Sequence, residues 1–257
     1  MSLAHWYEEH GRHDLEWRAT RDPWLVLVSE VMLQQTQVAR IAVAWPEFIA
    51  RFPTPPAMAD AGPGAVIEAW GRLGYPRRAR RLWESAVRIA ALGWPDDLTE
   101  LPGVGRYTAA ALRCLASDAD VPAVEVNVRR VVERVNGKRL TEREAEVAMI
   151  AVGKPLRGRD RLLALMDIGA TVCRPYDPQC RVCPLKRRCA TLGALPEPTR
   201  SRQPAFKGSF RQRRGIVLAR LRAGPTPVVL LDAHALRSLV ADGLAALDSD
   251  GDLAHLP

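Results

Sequence analysis

The sequence predicts an all-α protein, and three features carry the prediction. Glycine (18 residues) and proline (20) cut the chain into short runs with the apolar spacing of helices. Strict apolar–polar alternation, the mark of strands, persists almost nowhere. A composition 47% hydrophobic and 26% charged is that of a folded globule, which excludes a disordered chain or a fibre.

The elements follow in chain order. Asp22-Pro23 offers an N-cap residue and a proline at the first helical position, and opens a helix through WLVLVSEVMLQQ. AVIEAWGRL, RRARRLWESAVRIAAL and, after a glycine turn, RYTAAALRCLA read as further helices. NVRRVVERV, EREAEVAMIAV and RDRLLALMDIGATVC follow, and no repeat of solenoid period is present. The polar, basic, proline-bearing stretch PEPTRSRQPAFKGSF marks a linker over residues 191–210. Beyond it RQRRGIVLARLRA and HALRSLVADGLAAL read as two helices, and LAALDSDGDLAHL closes a small hairpin on DSDG. Residues 211–257 thus form a small winged-helix-like appendix, too short for a core of its own, that packs on the main body.

With 37 Lys and Arg against 29 Asp and Glu, the chain of 257 residues carries a net +8, which suits a polyanionic partner as well as an indifferent basic surface. No apolar run approaches a membrane span, and the acidic start (Glu8, Glu9) lacks the layout of a signal peptide. A cytoplasmic protein without a membrane partner is expected.

Four of the five cysteines crowd into the spacing Cys-x6-Cys-x2-Cys-x5-Cys: Cys173, Cys180, Cys183 and Cys189. Such a set can surround zinc or an iron–sulfur cluster, and a cytoplasmic chain with a large core disfavours disulfides. One Cys-x2-Cys knuckle with two wider gaps suits a 4Fe–4S cubane better than zinc. Arg174, Arg181, Lys186, Arg187 and Arg188 interleave with the thiols, either offsetting their charge or facing phosphates. Cys114, on an apolar helix, reads as a small core residue.

Leu101-Pro102-Gly103-Val104-Gly105 precedes the helix that begins with Arg106. Gly103 and Gly105 allow a tight turn and bare amides at a helix N-terminus, where a DNA phosphate could be held without reading bases. The turn alone is a weak signal, since many such turns join helices without a ligand.

LPGVGRYTA, SEVMLQQTQV, LGYPRRA and the cysteine spacing together resemble the MutY-type adenine DNA glycosylases of the helix–hairpin–helix superfamily, over roughly residues 5 to 192. The LGYPRRA variant and the short appendix look most like actinobacterial members. The resemblance implies a two-lobed fold: residues 25–125 form a six-helix lobe with the hairpin, and residues 1–24 with 126–190 form a lobe around an iron–sulfur cluster.

Cleaving an N-glycosidic bond in duplex DNA needs an extruded base, an acid to protonate it, and a negative charge near the developing sugar cation. Glu30, whose helical neighbours are mainly apolar, matches the family glutamate that protonates adenine. Tyr107 stands where endonuclease III types carry a Schiff-base lysine, which implies a monofunctional glycosylase; packing against the hairpin is its other reading. Glu125 stands where the family has a catalytic aspartate, with Val126 in place of a small residue, and Asn127 is expected to cap the next helix. Gln34 matches a glutamine inserted into the duplex, with Gln37 one helical turn on. Trp17 and Arg18 match pocket-lining residues, Arg18 being placed to read the flipped base, and Asp167 replaces an adenine-contacting glutamate. Pro76 replaces a base-stacking tyrosine, and Tyr75 beside it reads either as its substitute or as a structural residue.

The run Arg72, Arg77, Arg78, Arg80 and Arg81, with Arg129 and Arg130, reads as phosphate contacts or as solvated helix faces. The implied function is release of adenine opposite 8-oxoguanine or guanine from mismatched double-stranded DNA by a monomeric, nucleoid-associated bacterial enzyme. A thymine or uracil mismatch glycosylase and a non-catalytic iron–sulfur lesion binder are the alternatives. The short appendix has no Nudix-box pattern, unlike the C-terminal domain through which many family members recognise 8-oxoguanine.

Overall fold

The computed structural model describes residues 1–195 and 205–257, so positions 196–204 of the expected linker lie outside the described residues. The predicted all-α class holds. The described residues form eleven α-helices: α1 (Leu3–His10), α2 (Pro23–Leu33), α3 (Val38–Arg51), α4 (Pro55–Trp70), α5 (Arg77–Leu92), α6 (Arg106–Ser117), α7 (Val126–Asn136), α8 (Glu142–Gly153), α9 (Gly158–Asp167), α10 (Phe210–Ala223) and α11 (Ala233–Ala241). Three very short strands, β1 (Thr226–Pro227), β2 (Ala246–Leu247) and β3 (Leu253–His255), complete them. No helix among them is long and apolar enough to cross a membrane.

Two compact units divide the described chain. One holds Met1–Glu30 and the described residues from Val104 to 195; the other holds Val31–Gly103 and the described residues from 205 onward. These divisions fall at other positions than the lobe boundaries expected from the sequence.

In the first unit α6, α7, α8 and α9 pack on one another and α1 lies on α9. Asp22 opens α2 as the sequence implied: its Oδ1 accepts from the amides of Trp24 (2.7 Å) and Leu25 (3.2 Å). α8 begins with a full capping box between Thr141 and Glu144. α9 widens into a π-helical turn, Ile168–Val172, which delivers Cys173.

In the second unit the main packing is α4 against α5. α2 stops at Leu33 rather than running through both glutamines, because Gln35 adopts φ +55°. Three helical stretches were not read from the sequence: α1, α3, which runs through an interior Pro46, and the first part of α4, before its kink at Gly62 (φ +77°). α11 ends at Ala241 because Gly243 turns the chain at φ +64°. The expected hairpin forms, with Ala246 opposite His255 and Leu247 opposite Ala254. β1 adds to the other edge of β3; two residues are too few to show alternation in sequence. The appendix does pack on the body. Arg222 Nε donates to the Ile67 carbonyl (3.2 Å), and Arg80 Nη1 donates to that of Gly243 (2.7 Å).

Candidate active site and thiol cavity

Three of the predicted residues meet in the first unit. Glu30, near the end of a helix whose Val26, Leu27 and Val28 are fully packed, is only 7% exposed. Burial pushes its carboxyl from 4.5 up to about 7, and the charge of nearby Glu125 pushes the same way. The Tyr107 hydroxyl donates to Glu30 and works in the opposite direction. Burial and the facing carboxyls hold the Tyr107 phenol well above its usual value, so it stays a neutral donor.

Glu125 sits differently. It is the N-cap of α7: Oε1 accepts from the Val128 amide (2.9 Å) and Oε2 from Asn127 Nδ2 (3.0 Å). Its extra methylene lets the side chain fold back over its own helix. Asn127 is therefore not the cap; it lies in the first turn, bonded to Glu125 and, through Oδ1, to Arg130 Nη2 (2.6 Å). Burial raises the Glu125 carboxyl, opposed by the donors at the helix end.

Arg18 and Asp167 are joined rather than free to meet a base. Asp167 is wholly buried, and both its oxygens accept from Arg18, Nη1 at 2.7 Å and Nη2 at 2.8 Å. Arg12, which the sequence reading missed, closes the carboxylate from the other side through its amide (2.9 Å) and Nε (2.6 Å). These bonds hold Asp167 ionised, its carboxyl below the usual range despite burial. A base contact from Asp167 is thereby displaced: the aspartate holds Arg18 instead. Arg18 exerts an electrostatic pull on Glu30, and Trp17 lies buried beside it in the sequence.

At the hairpin only Gly103 needs its glycine, with φ +82°; a Cβ there would come within 3.2 Å of Arg81 Cβ. Gly105 is the N-cap of α6 at φ −92°, and a Cβ there would meet nothing within 4 Å. Open space before a bare helix N-terminus leaves room for an anion. Arg106 is exposed but lies near Glu142 (3.4 Å) and Glu146 (3.6 Å).

Three arginines of the basic run are engaged by groups of the protein itself. Arg78 is buried among backbone carbonyls, Arg77 pairs with Asp242 (2.5 Å), and Arg80 with Glu84 (2.9 Å). A phosphate contact is thus excluded for Arg78, whereas Arg72, Arg77 and Arg81 stay exposed. Arg129 donates to the Leu140 carbonyl, and Arg130 to those of Cys173 and Gly169. Gln34 lies in the turn after α2, and Gln37 is the exposed residue before α3, not a turn along the same helix. Tyr75 is half exposed at φ +48°, and Pro76 precedes α5.

Cys173, Cys180, Cys183 and Cys189 line one cavity with Val131, Ile168, Val172 and Leu185. No three His, Cys, Asp or Glu side chains among the described residues converge tightly enough for a single metal ion. Thiols around a shared cavity are soft donors of the kind that zinc or an iron–sulfur cluster takes. Burial raises the Cys183 thiol to about 11, and the other three thiols add to the effect. Arg134, 2% exposed and also missed in the sequence, donates to the carbonyls of Arg174 (2.7 Å) and Pro175 (2.8 Å) and to Cys173 Sγ (3.5 Å). Its sequence signal was spacing: Arg130 and Arg134 lie four apart on the face of α7 that carries Val131. Cys114 is core as expected, its thiol donating to the Val121 carbonyl (3.2 Å).

This hairpin helical fold is that of the base-excision repair proteins: residues 28–153 match the profile of the HhH-GPD superfamily base excision DNA repair proteins. The solved structure of a thermostable thymine-DNA glycosylase superposes with a TM-score of 0.67 at 27% identity, over 74% of this chain and 93% of that one. A non-covalent endonuclease III–DNA complex shares the fold, with a TM-score of 0.63 at 22% identity over 74% of this chain and 91% of that one. The adenine DNA glycosylase of Mycolicibacterium smegmatis is 41% identical over 99% of this chain and 94% of that protein. Its counterpart in Mycobacterium tuberculosis is 42% identical over 98% and 92%. The chain belongs to the adenine DNA glycosylase family.

Proposed function

We propose that the protein is a monofunctional glycosylase that removes adenine mispaired with 8-oxoguanine or guanine in duplex DNA. The observation that carries the chemistry is the buried Glu30 carboxyl, raised to about 7, hydrogen-bonded to Tyr107 and close to a second carboxylate. Two carboxyls in unlike surroundings divide the acid and anion roles. Glu30, half protonated near neutral pH, protonates the leaving base as the N-glycosidic bond breaks. Tyr107 holds one Glu30 oxygen, leaving the other to carry the proton. Glu125, fixed to the head of α7, places negative charge beside the oxocarbenium-like sugar, and water completes the hydrolysis. Arg18, clamped by Asp167 and Arg12, lines the base pocket with Trp17. The head of α6, with Gly105 and exposed Arg106, takes a phosphate, and Gln34 and Tyr75 enter the duplex.

Cys173, Cys180, Cys183 and Cys189 would hold a 4Fe–4S cluster, which would cross-link the loop between π turn and C-terminal linker rather than supply bond chemistry. Arg130 and Arg134 fasten that loop to α7.

The test is incubation with a duplex bearing adenine opposite 8-oxoguanine. Free adenine should appear, and the strand should break only after alkali. Glu125→Gln should slow release at least tenfold, with Glu125→Asp closer to the parent, since charge near the cation outweighs a small displacement. Direct strand cleavage, or a Glu125→Gln variant as fast as the parent, contradicts these roles.

A further inference from the structure

We propose that Arg78 is a positioning residue that fastens together the two turns carrying Gln34 and Tyr75, so that both are held for insertion into the duplex. The proposal rests on the assignment of those two side chains to the duplex.

The geometry of the second unit carries it. Arg78 Nη1 donates to the carbonyls of Val31 (2.8 Å), Met32 (3.1 Å) and Gln34 (2.5 Å), at the carboxyl end of α2. Nη2 donates to Thr36 Oγ1 (3.0 Å) and to the carbonyls of Leu73 (3.5 Å) and Gly74 (3.1 Å). One guanidinium thus spans two turns that lie about 40 residues apart in the chain, and Thr36 Oγ1 also reaches the Leu73 carbonyl (3.4 Å). The plane lies over Trp70 (5.1 Å to the ring centre) and Tyr75 (5.5 Å).

Both turns need such a fastening. Only four non-glycine residues among those described have positive φ, and two of them are Gln35 (+55°) and Tyr75 (+48°), one in each turn. Each costs about 1 kcal/mol or more and persists where the surroundings over-determine it. The charge of Arg78 lies against carbonyls at the carboxyl end of α2 and two aromatic faces. Burial lowers the guanidinium to about 10, still charged at neutral pH. A lysine offers a point charge and three donors from one atom, and so spans one turn but not both.

The experiment uses the full-length protein and a duplex with 2-aminopurine in place of the target adenine, opposite guanine. Its fluorescence reports extrusion of the base, and binding to matched and mismatched duplexes is measured alongside. Arg78→Lys should lower the extrusion signal and the mismatch preference about tenfold, as expected for insertion groups misplaced by a fraction of an ångström. Gln34→Ala should do likewise, and the double variant should lose no more than the larger single loss. The salt dependence of binding should not change, because Arg78 meets no phosphate. Thr36→Val, which removes one acceptor and leaves the arginine in place, should show a smaller loss of the same kind even where Arg78→Lys melts early. Additive losses in the double variant, or parental extrusion by both Arg78→Lys and Thr36→Val, would overturn the positioning role. Parental extrusion by both Gln34→Ala and Tyr75→Ala would instead overturn the insertion assignment on which it rests.

Discussion

Replacing Glu30 by glutamine should separate catalysis from stability. In the folded protein the carboxyl keeps its proton up to about 7, against 4.5 when unfolded. The folded state therefore binds more protons between those values, and stability falls as pH rises from 4.5 to about 7, then levels off. At about 1.4 kcal/mol per pH unit, ionising Glu30 in place costs roughly 3 kcal/mol at pH 8. Glu30→Gln never incurs this cost, though its bond to Tyr107 is weaker by about 1 kcal/mol. The variant should be about 2 kcal/mol more stable than the parent at pH 8, a rise of roughly 4–8 °C in Tm, and should lose the advantage near pH 5. Its single-turnover rate should fall by roughly 10²–10⁴, the usual contribution of a positioned acid. In the parent, that rate should drop about tenfold per pH unit above 7, as the protonated fraction does. Melting curves at pH 5 and 8 with quenched-flow release assays measure both. A variant no more stable at pH 8 than the parent, or one releasing base within tenfold of it, refutes the reasoning.

Tyr107→Phe removes the donor that holds the Glu30 carboxyl down, so the alkaline limb of the pH–rate profile should move to higher pH while direct strand cleavage stays absent. Arg81→Ala, at an exposed arginine beside Gly103, should reduce the slope of log binding constant against log salt by about 0.9, the contribution of one phosphate, without altering base preference. Cys183→Ala should abolish the visible absorbance expected near about 400 nm and lower Tm. A colourless, zinc-loaded parent would contradict the cluster.

Much of the site was legible because its signals are local. The apolar neighbours of Glu30 implied a raised carboxyl, and the cysteine spacing implied one cavity, since both follow from positions a few residues apart. The arginines were not legible. Arg77, Arg78, Arg80 and Arg81 share one basic run, yet one pairs with Asp242, one disappears among carbonyls, one reaches Glu84 and one stays in solvent. An arginine has five donors and no sequence pattern states whether carbonyls or phosphates will use them. Arg12 was missed for a similar reason, its partner Asp167 lying 155 residues away. Glu125 misled in detail because caps are usually shorter residues; its added methylene let it take the role expected of Asn127.

The most direct test of the central claim is base release by the parent enzyme from a panel of duplexes that differ only in one pair: adenine opposite 8-oxoguanine, guanine or thymine, and thymine or uracil opposite guanine. The acid–anion pair of Glu30 and Glu125 in an adenine pocket predicts free adenine from the first two duplexes and none of the other bases. Release of thymine or uracil, or tight binding without release of any base, would contradict it.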